Sequence, residues 1–310
     1  MVSSVCVGTG PLGDRNMVQV HTYAVPEERA LATLRAVFDS PINFLDTAAF
    51  YGEGESERRI GLAIRLHGGL PDGFVLATKA DRDLITNDFS GEQARRSVER
   101  SLSLLGLDSI PLLHLHDPEW ADQSFEEFMA PGGAVEALLR LRDEGVIGQV
   151  GIAAGPVDLS IRFVETGLFD VLLTHNRFTL LTRVANPLID LAVDRGMAVL
   201  NAAPYASGIL AKGPDAFRLY AYRDAPAEIV ERILGMQAAC ERAEVPLAAA
   251  ALQFSLRDPR ITSTIVGVTH PQRIAETLAL ATHPIPDSLW PELEAFALPD
   301  VDPFAGRVSL

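Results

Sequence analysis

The sequence predicts an α/β protein, a (β/α)8 TIM barrel, and three observations carry that expectation. Short apolar runs rich in β-branched residues alternate with segments of helical spacing, the alternation closes at eight units, and no shift in composition divides the 310 residues. Strands are expected at Val5–Val7, Ile42–Leu45, Phe74–Ala77, Ile110–Leu115, Val150–Ile152, Val171–Leu173, Ala198–Leu200 and Thr264–Val266. Helical segments are expected near 26–40, 55–67, 90–105, 135–139, 157–166, 184–195, 246–256 and 271–281.

The segment 90–105 is the clearest helix. Ser90 and Gln93 have the spacing of a capping box, Ala94, Val98, Leu102 and Leu105 share one face, and Gly106 stands where a C-terminal cap belongs. Repeated βα units require a parallel sheet with helices outside it. Eight of them fit a closed barrel, about 250 residues before insertions. The expected organisation is one barrel domain over residues 1–310, with an extended loop and an extra helix near 205–243. The competing fold is an open doubly wound sheet. Gly8-Thr9-Gly10-Pro11-Leu12-Gly13 has the spacing of its phosphate loop, but Pro11 and the lack of a helical pattern before Pro26 spoil the strand–turn–helix context.

Composition narrows the partners. The formal charge of −15 is wrong for nucleic acid, where clustered cations must neutralise phosphates, and equally wrong for anionic lipid. No apolar run approaches the roughly 18 residues of a membrane span. The opening MVSSVCVGTGPLG lacks the basic and apolar regions of a secretory leader. With Cys6 and Cys240 the only cysteines, two reduced thiols in a cytoplasmic protein are expected.

In such a barrel, side chains at the C-terminal ends of the strands face a common site. Strand two ends at Asp46, strand three at Lys79 and strand four at His116, with Tyr51 in the loop just past Asp46. Each alone has a bland reading as a cap, a solvated charge or packing. Together on neighbouring strands they form a catalytic set. Lys79 would stabilise the Tyr51 phenolate and lower the pKa of a phenol otherwise near 10. Asp46 would hold Lys79, and His116 would orient the reacting oxygen. The set moves a proton as a hydride arrives or leaves. None of these side chains supplies a hydride, so a cofactor must. No metal enters this reading. His114 shares strand parity with His116 and is expected one layer down, as a hydrogen-bonded interior residue.

These residues resemble the aldo-keto reductase family, in the branch of bacterial aldose and pyridoxal dehydrogenases. The resemblance runs through LDTAAFYGEGESE (with Glu57), ATKAD, LHLHDP, DEGVIGQVGIA, NRFTLL, NAAPYASGIL and IVGVTHPQRIAET. It implies NAD or NADP lying across the rim without a Rossmann fold. Gly8 and Thr9 would lie near the nicotinamide and its ribose, with Asp46 and His175 beside them. Pro204, Ser207, Gly208 and Leu210 would cover the pyrophosphate. Gly267, Thr269, Arg273, Glu276 and Thr277 would meet the adenosine end, at a helix start suited to an anion. Ala153-Ala154, His175 and Ala202 stand where the family commonly has Ser-Asn, Gln and a stacking aromatic. Gly267 stands where many NADP-preferring relatives have Lys, so NAD is expected to be used well. The substrate implied is a small aldose, oxidised at its anomeric hydroxyl to a lactone. The alternatives are reduction or oxidation of other carbonyl substrates such as pyridoxal, and a nicotinamide-binding regulatory subunit. Phe50, Trp120 and Phe178 would argue for an aromatic substrate if they lined the pocket.

Overall fold

In the computed structural model, which describes residues 1–14 and 24–304, eight parallel strands close into a barrel. They are β1 (Val5–Gly8), β2 (Phe44–Asp46), β3 (Val75–Ala80), β4 (Ile110–His116), β5 (Ile147–Ala153), β6 (Val171–His175), β7 (Ala198–Ala202) and β8 (Ser263–Gly267). Each strand pairs with the next in sequence, and β8 returns to β1 with Gly8 opposite Gly267. The open doubly wound alternative is thereby excluded. Gly10–Leu12 forms only a short 3-10 turn after β1. Strand β2 begins two residues later than its apolar run, because the Ile42 amide donates to Ser40 Oγ at 3.1 Å in a turn.

Eight helices follow the strands in turn: α1 (Glu27–Phe38), α2 (Glu55–His67), α3 (Gly91–Leu105), α4 (Ala134–Asp143), α5 (Val157–Glu165), α6 (Asn186–Asp194), α7 (Leu247–Leu256) and α8 (Gln272–Ala281). Helix α3 shows why the sequence folds this way. Ser90 Oγ accepts from the Gln93 amide at 3.3 Å, Ala94, Val98 and Leu105 are buried, and Gly106 ends the helix at φ 69°. The capping box itself is only half made. Gln93 turns its side chain away from the Ser90 amide and donates to Asp81 O at 3.2 Å, while that amide donates to Asp88. A complete box occurs instead at Ser124 and Glu127, starting the short helix Phe125–Met129.

The expected extra helix spans Ala227–Arg242. The stretch before it is more ordered than a loop. It holds the one-turn helix Ile209–Lys212 and a two-stranded ribbon, Leu219–Tyr220 against Arg223–Asp224. Ile209, Leu210 and Tyr220 pack in one cluster with Ile229, Ile233 and Met236 of the extra helix. Cys6 and Cys240 are both free and buried. No helix among the described residues is long and apolar enough to cross a membrane.

Strand alternation decides what fills the barrel. Cys6, Phe44, Ala77, Leu112, Ala153, Val171, Leu173, Leu200 and Ile265 form one interior cluster. Their neighbours Val7, Leu45, Leu76, Leu113, Ile152, Leu172 and Val266 face outward, into the helix layer. The next inward position up each strand therefore belongs to the rim. Just below it, the His114 ring occupies space left by Gly151. A Cβ on Gly151 would lie 2.1 Å from His114 Nδ1. The burial expected for His114 is present, but its expected hydrogen bond is absent: neither ring nitrogen has a partner among the described residues. Burial, with Lys79 and His116 nearby, pushes its pKa well below the ordinary value and keeps it neutral.

On the outer face, Thr78 donates to the fully buried carboxyl of Glu57 at 2.6 Å, docking α2 on β3. Burial raises Glu57 to about 7, from an ordinary carboxyl near 4.5. Between those two values the folded chain binds this proton and the unfolded chain does not, so stability falls as pH rises through that window.

Two outcomes follow from the packing. Gly151→Ala overpacks the barrel against the His114 ring and should lower unfolding free energy by about 1–3 kcal/mol. An unchanged urea midpoint would contradict the close approach. Glu57→Gln keeps an acceptor for Thr78 but cannot ionise. Relative to the parent chain it should gain roughly 1–3 kcal/mol between pH 5 and pH 8. Thermal melts at both pH values that move in parallel would count against the buried-carboxyl argument.

Candidate active site

Four of the inward rim positions carry ionisable groups: Asp46 on β2, Lys79 on β3, His116 on β4 and His175 on β6. Gly8, Gly267, Ala202 and Ala153 take the corresponding places on β1, β8, β7 and β5. The mouth thus has an ionisable side on β2 to β4, with His175 apart on β6 beyond Ala153, and a small-residue side on β7, β8 and β1.

The predicted group comes together on the ionisable side. Lys79 is 1% exposed and donates to Asp46 Oδ2 at 2.7 Å, to Thr47 O at 2.6 Å and to Tyr51 OH at 3.3 Å. Its ammonium also lies 4.7 Å from the centre of the Tyr51 ring. The His116 ring meets Tyr51 edge-on, with centroids 6.0 Å apart. Tyr51 is presented by a tight turn in which Gly52 has φ 64°. A Cβ there would fall 1.8 Å from Gly13 O, so only glycine fits beside the tyrosine. Behind the turn, Ser56 lies 3.0 Å from Thr47 Oγ1 and 2.8 Å from Thr9 Oγ1, and Thr9 donates to Asp46 O at 3.0 Å. These buried hydroxyls tie β1, β2 and α2 together.

Electrostatics corrects one expectation. Burial raises Tyr51 well above an ordinary phenol, and Lys79 pulls it back only in part. The net direction is upward, so the resting group is a protonated phenol. Lys79 is raised too: burial works against its charge, and Asp46 outweighs burial. For His116, burial disfavours the imidazolium but Asp117 and Asp81 outweigh it, and its pKa rises. His175 falls to about 3 through burial and the nearby Arg177, so it faces the mouth neutral. Glu119, on the loop after β4, is raised to about 7 by burial and by Asp117.

One member of this side was missed by the sequence reading. Asp81 is 4% exposed and stands two residues past Lys79. Its Oδ1 lies 2.6 Å from His116 Nδ1, and its Oδ2 accepts from the Phe50 amide at 2.6 Å. Strand parity was the available signal, since residue 81 continues the inward series of 77 and 79.

On the small-residue side, Gly8 and Gly267 carry no side chain and Ala202 only a methyl; a Cβ on Gly8 would lie 2.9 Å from Ile265 Cγ2, and one on Gly267 3.2 Å from Pro11 Cγ. Among the other residues expected to hold a cofactor, Pro204 is buried just past β7. Ser207 and Gly208 form a left-handed run at φ 69° and 113°, and Ser207 Oγ accepts from the Tyr222 amide. Leu210 has its side chain in the core and its amide on Tyr205 O, and Thr277 is 5% exposed under α8. Thr269 is half-buried after β8. Arg273 and Glu276 are exposed and paired with each other at 2.8 Å. The start of α8 offers an anion less than expected. The amides of Gln272, Arg273 and Ile274 donate to His270 Nδ1, His270 O and Pro271 O. Phe178 does not face the mouth; it is 2% exposed and packs on Phe254 at 5.0 Å.

Comparison with known proteins agrees with this fold. A sequence profile described as "Aldo/keto reductase family" matches residues 4–297. The chain is 33% identical to a D-threo-aldose 1-dehydrogenase from Pseudomonas sp, over 89% of its own length and 90% of that protein. It is 32% identical to a pyridoxal 4-dehydrogenase from Microbacterium luteolum, over 96% of its length and 94% of that protein. Its fold superposes on an aldo-keto reductase from Bacillus halodurans in holo form with a TM-score of 0.74, at 21% identity, covering 96% of this chain and 92% of that one. The chain therefore belongs to the aldo/keto reductase family, oxidoreductases that work with NAD(P)H.

Proposed function

We propose that this chain oxidises the anomeric hydroxyl of a small aldose to a lactone. The observation that carries the reading is the polarity of the mouth beyond Tyr51. Asp117 and Glu119 follow β4, and Asn176 and Arg177 follow β6. Glu119 Oε2, Asn176 Oδ1 and Arg177 Nη1 are buried without a partner among the described residues. Buried polar atoms are ordinarily paired, and a polyhydroxylated substrate brings both donors and acceptors. The core position of Phe178 removes one of the three aromatic side chains that favoured an aromatic substrate. The likeness to a D-threo-aldose 1-dehydrogenase supports the same reading.

The nicotinamide supplies the hydride acceptor when bound. Gly8, Thr9 and Ala202 would lie toward its ring, with Ser207 and Gly208 toward its pyrophosphate and Gly267, Arg273 and Glu276 toward its adenosine. Tyr51 OH exchanges the proton with the reacting oxygen. Burial keeps that phenol protonated at rest, so in the oxidation direction Tyr51 acts as a base from the phenolate left once its proton has passed to solvent. Lys79 at 3.3 Å lowers the cost of the resulting phenolate, and Asp46 keeps Lys79 charged and in place. His116 holds the reacting oxygen against Tyr51.

A second reading, reduction of an aldehyde or ketone, draws on the same electrostatics. Tyr51 rests as a protonated phenol, and the raised pKa of His116 favours its imidazolium form as a donor to a carbonyl oxygen. The likeness to a pyridoxal 4-dehydrogenase keeps an aromatic carbonyl compound in view.

Tyr51→Phe keeps the ring and removes the exchangeable proton. Turnover should drop by about 10²–10⁴-fold, with the cofactor dissociation constant within a few fold. Half the parental rate would rule out the proton-transfer role. To separate the substrates, kcat/KM is measured for L-fucose, D-arabinose, L-galactose, pyridoxal and benzaldehyde, with NAD and with NADP. The sugars should exceed the aromatic compounds, and NAD should serve well because the Arg273 guanidinium already carries a carboxylate. Inert sugars beside an active aromatic aldehyde or alcohol would overturn the aldose reading and leave the oxidoreductase.

A further inference from the structure

The contacts of Asp81 go beyond packing. Its backbone is fixed by α3: its amide donates to Ser97 Oγ at 3.1 Å, and its carbonyl accepts from Gln93 Nε2 at 3.2 Å. Its two carboxylate oxygens then reach in different directions, one to His116 Nδ1 and one to the amide of Phe50, the residue directly before Tyr51. We propose that Asp81 is a positioning residue of the redox site: it confines the titrating proton of His116 to Nε2, and it locks the His116 ring and the Tyr51 turn into one unit. The proposal rests on the reading that His116 meets the reacting oxygen.

A carboxylate only accepts hydrogen bonds, so the 2.6 Å contact requires Nδ1 to be the donor. Neutral His116 then presents the Nε2 lone pair, which accepts from a substrate hydroxyl. Protonated His116 presents Nε2–H, which donates to a substrate carbonyl. The single proton on Nε2 distinguishes the alcohol-binding site from the carbonyl-binding site. Without Asp81 the neutral ring is free to carry its proton on either nitrogen, and Nε2 no longer reports the state of the reaction.

The other charges around the ring do not substitute for Asp81. Asp117 Oδ2 lies 3.6 Å from Nε2, on the substrate side, where it favours the imidazolium without fixing Nδ1. Lys79 on β3 opposes the imidazolium. Asp46 on β2, Glu119 after β4, His114 on β4, His175 on β6 and Tyr51 complete the surrounding ionisable groups. Among the described residues, Asp81 is the only one of them in hydrogen-bond contact with Nδ1.

Two measurements test this. In the parent chain, ¹⁵N resonances of the His116 imidazole, assigned by their loss in His116→Gln, are followed from pH 5 to 9. Nδ1 should stay protonated throughout while Nε2 titrates. A neutral form protonated on Nε2 overturns the proposal, and this arm needs no substrate and no variant. In the second arm, Asp81→Asn keeps the volume but loses the charge and cannot accept at both oxygens. The pH inflection of kcat should move down by about one unit, with kcat falling tenfold or more and KM staying within about threefold. An inflection and kcat unchanged in a folded variant would overturn the proposal as well. If the parent turns over none of the substrates above, it is the functional reading that fails, and the resonances still decide on Asp81.

Discussion

The mouth of this barrel is organised by one buried charge, the ammonium of Lys79. At 1% exposure it has lost its water, and an unpaired charge in that position costs several kcal/mol. Asp46, itself 3% exposed, and the Thr47 carbonyl replace that hydration at 2.7 and 2.6 Å. The geometry that satisfies Lys79 leaves its third direction for Tyr51. The turn bearing Tyr51 is in turn held by the close approach of Gly52 to Gly13, and by the Phe50 amide on Asp81. Removing Asp46 would strand a buried cation that only the Thr47 carbonyl and the Tyr51 hydroxyl would still meet.

The division of the rim into an ionisable side and a bare side follows from the same arithmetic of alternation. Position by position, the inward series ends in Asp46, Lys79 and His116 on consecutive strands, and in Ala202, Gly267 and Gly8 on the strands that close the circle. Charges crowded on one side desolvate and couple. Cys6, beneath Asp46, is pushed well above an ordinary thiol by burial and by that carboxylate, which keeps it inert.

The barrel was legible because each strand and helix repeats its own period, and the cluster of Asp46, Lys79 and His116 was legible because strands β2, β3 and β4 deliver it at their ends. Where the reading failed, a tertiary partner competed with a local one. Gln93 abandons its capping box because the Asp81 carbonyl is a better-placed acceptor. The Tyr51 phenol rises, against the direction expected from Lys79, because desolvation outweighs a single cation. His114 was placed in the right layer, but no donor or acceptor of the described residues reaches it. Asp81 was visible in the alternation of β3 yet lay past the expected strand end. Loop residues such as Phe178 carry no period, and nothing local shows which way they turn.

The conformations of the loops mark the same asymmetry between the two ends of the barrel. At the base, turns into the next strand that need a left-handed residue use glycine, as at Gly106 and Gly196. At the mouth, left-handed positions fall on Gly52, Gly54 and Gly208 but also on residues with side chains, among them Glu53, Asp117, Asn176, Ala203, Ala206, Ser207 and Tyr222. Such a residue costs of order 1–2 kcal/mol over glycine's ease in that region. At the base only the turn matters, and glycine makes it without strain. At the mouth the side chain itself has work: Asp117 stands beside His116 Nε2, Asn176 donates to Tyr222 OH at 3.3 Å, and Ser207 receives the Tyr222 amide. At Asp117, Asn176 and Ser207 the strain accompanies a polar group aimed across the mouth, and the rigid scaffold of strands beneath is what allows it to persist.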